Sequence, residues 1–257
     1  LSSSLNKMLG QIESSFEVQR NSERRMRRFV SDASHELRTP LAAIRGYAEL
    51  YRMGAVDAEG VTDAMGRIES ESTRMGTLVE DLLTLARLDE RPSQMNDNVD
   101  LVQIANETCS DLLALDPTRE VKIQGLATGD APEALVVVAD RNQIIQVFMN
   151  LAGNITRYTP RGSPVEIRLG RQADLVKIEF VDHGPGIQSE DQARVFERFF
   201  RTDRSRSRDQ GGSGLGLSIV NAIVSAHGGS VELRETHPHG LTAVVNLPSD
   251  RDTMGSH

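Results

Sequence analysis

The stretch SDASHELRTP, residues 31–40, decides how the first third of the chain is read. It lies within a run of helical periodicity, yet it carries a histidine and, five residues later, a proline. Leu5, Leu9, Ile12, Phe16, Gln19, Glu23, Met26, Val30, Ala33, Leu37 and Ile44 recur at alternating three- and four-residue steps, with Pro40 on the same seam. That is the a/d pattern of helices that pack on partners. Gln19 and Glu23 put polar groups on the seam, which weakens packing there and can fix register. With Val30 and Leu37 at a and Ala33 at d, His35 falls at f, farthest from the packed stripe. Pro40 removes the backbone bond to the Glu36 carbonyl, at a cost of roughly 3 kcal/mol in a helix interior, so a kink or softened turn is expected just after His35. Thr39 shares the face of His35 one turn on, Arg38 is the i+3 neighbour, and Glu36 is a step round the helix. Exposed histidines on helices are commonly idle. A carboxylate, a hydroxyl and a softened helix beside this one are surroundings that suit a nucleophile.

Working outward, YRMGAVDAEG (51–60) breaks the helix, and a second follows with Val61, Met65, Ile68, Met75, Val79, Leu82 and Ala86 again at helical spacing. Two such helices form a hairpin that cannot bury both stripes alone, so two copies in a four-helix bundle, or a hairpin packed on the rest of its own chain, are the alternatives. DERPSQMNDNVD (89–100) is polar and aperiodic and reads as a linker, its hinge at 91–97. Beyond it the pattern turns to mixed α/β. Helices are predicted at 101–114, 141–154 and 215–227, and strands at 120–124, 134–139, 164–170, 175–182, 229–235 and 241–247. Adjacent strands joined by short turns favour an antiparallel or mixed sheet with helices on one face. The end, 249–257, reads as a tail.

Composition narrows the function. The 257 residues allow one large or two modest domains. A formal net charge of −8 with interspersed signs, and no Trp, argue against nucleic-acid binding as the main task. A single cysteine, Cys109, excludes an internal disulfide framework. No apolar run approaches the roughly 20 residues of a membrane span. The chain opens without Met and without a signal peptide, so a cytoplasmic fragment of a longer protein is expected.

FVSDASHELRTPLAAIRGYAEL resembles the phospho-accepting motif of sensor histidine kinases. The resemblance implies that His35 attacks the γ-phosphate of ATP and then passes the phosphoryl group to an aspartate of a response-regulator receiver domain. It implies Glu36 as the acid/base partner of His35, and Thr39 as the residue orienting water in a reverse, regulator-phosphatase mode. LSSSLNKMLGQIESSF is similar to the end of a signalling linker, which assigns 1–25 to that linker and 26–90 to the dimerisation and phosphotransfer hairpin. A homodimer, anchored in the plasma membrane only through segments outside this chain, is implied as well.

Such a protein needs a nucleotide site, and three stretches qualify. VFMNLAGNITRYTP (147–160) places Asn150 and Asn154 on one helix face, as magnesium-holding amides or as ordinary capping residues. VDHGPGI (181–187) ends a strand in Asp182 and puts Gly184 and Gly186 in a turn that either approaches a ligand or merely turns. GGSGLGLSIV (211–220) runs glycines into a helix N-terminus, a good place for phosphate. Together they resemble the asparagine and glycine motifs of the histidine-kinase ATP-binding domain, with VFERFFR as its phenylalanine motif. The implied fold is α+β: a dimeric helical hairpin in a four-helix bundle, then an α/β sandwich over 98–248 of the type shared with topoisomerases and chaperone ATPases. By the same resemblance Asn150 and Asn154 serve Mg2+ and phosphate, Arg157 and Tyr158 line the nucleotide, and Asp182 reads adenine. Gly184, Gly186, Gly212, Gly214 and Gly216, with Leu215, shape the loops. Phe196, Phe199 and Phe200 anchor a lid that carries Arg201, Arg204, Arg206 and Arg208. Ile155 stands where the family usually has alanine, which could crowd the helix.

Overall fold

The computed structural model describes residues 2–57, 60–90, 97–126, 129–201 and 212–249. They form two units, residues 1–79 and 80–257, and the division falls within the second helix. Leu5, Leu9 and Ile12 lie outside the described side chains, as do Arg204, Arg206 and Arg208 outside the described residues.

In the first unit, α1 (Ser2–Arg52) runs unbroken through Pro40. The expected interruption after His35 is therefore confined to one missing backbone bond. Hydroxyls bond back along the helix on either side of His35, Ser34 to the Val30 carbonyl at 2.7 Å and Thr39 to the His35 carbonyl at 3.4 Å. α1 ends in a Schellman turn, where Gly54 N–H donates to the Tyr51 carbonyl and Ala55 N–H to that of Leu50. α2 (Gly60–Glu90) follows, its first N–H captured by the Asp57 carboxylate at 2.8 Å. The helices are tied by Arg74 to Glu36 at 3.6 Å and by Arg67 over the Tyr47 ring. Ala64 and Leu78 are buried, but Phe16, Met26, Val30, Leu41 and Met65 are each more than two-fifths exposed. The apolar stripe is thus left largely uncovered by a single chain.

The second unit is built on a five-stranded sheet in the order β2 (Val121–Gly125), β4 (Val165–Gln172), β5 (Leu175–Asp182), β7 (Leu241–Pro248) and β6 (Ser230–Glu235). β2 and β4 are parallel and the other pairs antiparallel. β3 (Val136–Ala139) pairs instead with β1 (Asp97–Asp100). That corrects the linker reading of 89–100 at its end: DNVD looks polar, but Val99 is buried and Asp100 caps the next helix. The helices are α3 (Leu101–Leu115), α4 (Arg141–Tyr158), the short α5 (Ser189–Gln192) and α6 (Gly216–Ala226). Asp100 and Asp140 begin α3 and α4 by accepting backbone N–H groups of the first turn.

The core lies between the sheet and the layer α3, α4 and α6, in the arrangement the strand pattern predicts. Alternate residues of β4 and β5, Val165, Ile167, Leu169, Val176, Ile178 and Phe180, are fully buried. On the helix layer Ile144, Phe148 and Leu151 of α4, and Ile219 and Ile223 of α6, are equally buried. Phe148 and Phe180 pack edge to face with centroids 5.2 Å apart. Cys109 is buried in α3, and burial pushes its thiol up to about 11, which makes it an inert core residue. Phe148→Ala is expected to cost about 3–5 kcal/mol of stability. Urea unfolding followed by circular dichroism checks this in a chain that lacks tryptophan.

Candidate functional site: a nucleotide cleft and an exposed histidine

The end of the sheet at which β5 finishes opens into a cleft of about 570 Å3. Its walls come from the C-terminal half of α4, the loop after β5, and β6 and β7. Asn154, Arg157, Tyr158, Asp182, Gly186 and Arg201 all line it. Residues as far apart in the chain as Leu151 and Ala243 are therefore gathered around one space, with apolar Ile187, Leu217 and Leu233 among them. A flat, partly apolar ligand with polar edges suits such a lining.

At the inner end, Oδ1 of Asp182 accepts N–H bonds from Gly184 at 2.8 Å and Leu241 at 3.2 Å. Both bonds go to one oxygen, leaving Oδ2 for the cleft that the residue lines. Burial raises the Asp182 pKa, and the two backbone donors only partly offset it. The loop after β5 reaches this position through glycine. Gly240 has φ +133°, and a Cβ there would overlap the Asp182 carbonyl; one at Gly186, at φ +69°, would press on the Gly240 carbonyl. Behind the loop stands Arg119, buried, donating to Thr159 Oγ1 at 2.8 Å, the Ser163 carbonyl at 3.0 Å and the Pro160 carbonyl at 3.3 Å. Thr159 ends α4 and lies against Gly184. Asp116 completes this buried cluster, its carboxylate held below the usual range first by the Thr118 hydroxyl and then by Gly162 N–H.

The outer end is glycine-rich. Gly212 lies against the Arg157 guanidinium, and Gly214 against the backbone of Phe199. Leu215 is buried and precedes α6, whose free N–H groups face the same region. A Cβ at Gly216 would sit 3.1 Å from Asn150 Oδ1 and 3.8 Å from Asn154 Oδ1. Asn150 donates through Nδ2 to the Gln146 carbonyl at 3.0 Å, which turns its oxygen toward the start of α6. Two amide oxygens thus converge on a helix N-terminus, an arrangement suited to phosphate and a hard cation. Among the described residues no cluster of three His, Cys, Asp or Glu could hold a metal alone. Ser213 accepts from Leu215 N–H at 3.2 Å and donates to Asp81 of α2 at 2.9 Å. Burial raises the pKa of Asp81 as well, with the Ser213 bond opposing it.

The predicted residues are placed as follows. Phe200 lines the cleft, whereas Phe199 has φ +63° and contributes its backbone to the glycine loop; Phe196 is half-buried nearby in sequence. Ile155 is buried in the cleft wall, and α4 continues past it to Tyr158. On the first unit, His35 is exposed, Thr39 is exposed with its hydroxyl on the His35 carbonyl, and Glu36 reaches Arg74. Arg119, Ser213, Asp81, His227 and Gly240 were not singled out from sequence. An arginine after DPT and a histidine before a glycine pair were the only local signals.

Residues 25–91 match the His Kinase A (phospho-acceptor) domain, and residues 139–251 match the Histidine kinase-, DNA gyrase B-, and HSP90-like ATPase. The chain is 42% identical over 250 residues to the probable sensor histidine kinase TcrY of Mycobacterium tuberculosis, covering 97% of this chain and 51% of the relative. Its structure resembles that of full-length ShkA in complex with AMPPNP, with TM-score 0.57 and 25% identity over 84% of this chain and 44% of that one. It shares its fold with histidine kinase ThkA in complex with response regulator TrrA, with TM-score 0.69 and 23% identity over 86% and 61%. The chain belongs to the sensor histidine kinases, and its second unit carries their ATP-binding domain. It spans about half the length of the curated relatives it matches.

The raised pKa of Asp182 has a signed consequence. A carboxyl that resists ionisation when folded contributes its stability below the ordinary aspartate value and loses it as pH rises through the folded value. Asp182→Asn keeps the Oδ1 acceptor without the buried charge. It is expected to raise the melting temperature at pH 7 by about 2–4 °C. The gain should vanish below the ordinary aspartate range near ~4. Thermal melts at the two pH values check the sign.

Proposed function

We propose that this chain is the catalytic portion of a two-component sensor kinase, phosphorylating His35 from ATP and passing the phosphoryl group to an aspartate of a response-regulator receiver domain. The observation that carries the reading is the pairing in one chain of a solvent-exposed histidine on a helical hairpin with a cleft organised for a nucleotide. At the base end, Oδ2 of Asp182 accepts from the adenine amino group, while Ile155 and Leu233 flank the ring. At the phosphate end, α6 amides and Arg157 meet the negative charge. Asn150 and Asn154 would hold Mg2+, which supplies charge neutralisation on the phosphates.

The imidazole lone pair forms a bond to the γ-phosphorus as the bond from that phosphorus to the bridging oxygen breaks and ADP leaves. The imidazole proton passes to a base, the role proposed for Glu36. Its pairing with Arg74 at 3.6 Å holds it in place on the hairpin. Thr39, whose hydroxyl retains an acceptor lone pair beyond its bond to the His35 carbonyl, orients water in the reverse phosphatase mode. The uncovered stripe on α1 and α2 favours a homodimer through a four-helix bundle. Among the described residues no helix is long and apolar enough to cross a membrane, so attachment to the plasma membrane would come from segments outside this chain.

Incubation with γ-labelled ATP and magnesium tests the reading. Label stable to alkali, lost in acid and absent in His35→Gln is the expected result, with nucleotide binding retained in that variant. Label that survives His35→Gln would place the phosphoryl group elsewhere and overturn it.

A further inference from the structure

We infer that His227 is a positioning residue for the phosphate end of the cleft, latching α6 to α4 from the side remote from the ligand; this rests on the nucleotide reading above. His227 caps the C-terminus of α6 and is 5% exposed. Its Nε2 accepts the Asp140 backbone N–H at 3.1 Å, and its Nδ1 lies 2.8 Å from the Ile223 carbonyl. One nitrogen accepts, so the other carries the proton and donates, which fixes a neutral imidazole in a single tautomer. Asp140 is the cap of α4, the helix that carries Asn150 and Asn154. A single buried ring therefore joins the last residue of one ligand-binding helix to the first of the other.

The geometry makes this contact a lever. From Asp140 to Asn150 is ten residues of helix, about 15 Å, and from His227 back to Gly216 is eleven, about 16.5 Å. The helices run antiparallel, so the imidazole contact and the meeting of Gly216 with the asparagine oxygens stand at opposite ends of spans of nearly equal length. A slip of α6 along α4 at the histidine is transmitted undiminished to the glycine loop. Space at the loop end is already tight, since Gly216 approaches Asn150 Oδ1 closely. The base end keeps its α4 wall at Ile155 and Thr159 when α6 slips, and its acceptor, Asp182, is set by Gly184 and Leu241, neither of which is on α6.

The test separates phosphate from base recognition. ADP and adenosine affinities are measured by calorimetry on the full chain for the wild type, His227→Leu and His227→Gln. Glutamine can offer an amide oxygen near the place of Nε2; leucine offers no acceptor. His227→Leu is expected to weaken ADP by about tenfold, with adenosine changed by less than about twofold, and His227→Gln to recover most of the ADP affinity. Equal loss of both ligands, unchanged ADP binding, or no recovery with glutamine would overturn the inference. Should His227→Leu fail to fold, as judged by circular dichroism, His227→Asn replaces it: its shorter amide cannot reach Asp140, and the same selective loss of ADP is expected. A wild type that binds neither ligand would refute the nucleotide reading itself, and the latch with it.

Discussion

Oδ1 of Asp182 accepts backbone hydrogens from Gly184 and Leu241, 57 residues apart in the chain, and the inner end of the cleft depends on that shared acceptor. A half-buried carboxylate is costly, and here two backbone amides offset part of the cost without removing it. What remains is an oxygen held at a fixed position in the cleft wall. Any residue with a Cβ at 240 would force the β6–β7 turn away from Asp182, remove the Leu241 donor and open the wall. The buried carboxyl stands in the wall of the cleft, as expected when stability is traded for a preformed site.

The rest of the ATP-binding domain serves to bring a second end to the same cleft. The sheet gives a flat apolar floor, and the antiparallel pair α4 and α6 lies across it with Phe148, Ile219 and Ile223 as fixed points. Because α6 starts at a glycine, its free amides can come close to the amide oxygens of Asn150 and Asn154. Arg157 stands between that loop and the cleft, next to Gly212. The result is a cleft with an acceptor at one end and donors at the other. That polarity is what a nucleotide requires and a simple apolar ligand does not. On the proposed function the hairpin supplies the other reactant, the imidazole of His35, exposed on the long helix α1.

Much of this was legible in the sequence because the signals are local. Helix periodicity on either side of residues 51–60, the alternation in β4 and β5, and glycines leading into α6 each depend on residues within about ten positions of one another. Asn150 and Asn154 are one turn apart, and Asp182 closes its own strand. What escaped depends on distance. Arg119 acts on Thr159 forty residues away, His227 on Asp140 at a separation of 87, and Ser213 on Asp81 at 132. None of these pairs leaves a pattern at its own position that points to its partner. β1 escaped for another reason: DNVD has one apolar residue and joins only a two-stranded sheet, so alternation had nothing to register. Pro40 shows the converse, a strong local signal for a break that a long helix absorbs without ending.

The central claim is that the cleft reads its base through Asp182. Competition of ADP and GDP for the wild type and Asp182→Asn addresses it most directly, since guanine presents a carbonyl oxygen where adenine presents an amino group. A carboxylate oxygen rejects that carbonyl. The account predicts that the wild type prefers ADP by at least about tenfold, and that the preference collapses in the variant through loss of ADP affinity. GDP bound as tightly as ADP by the wild type, or a preference that survives the substitution, would contradict it.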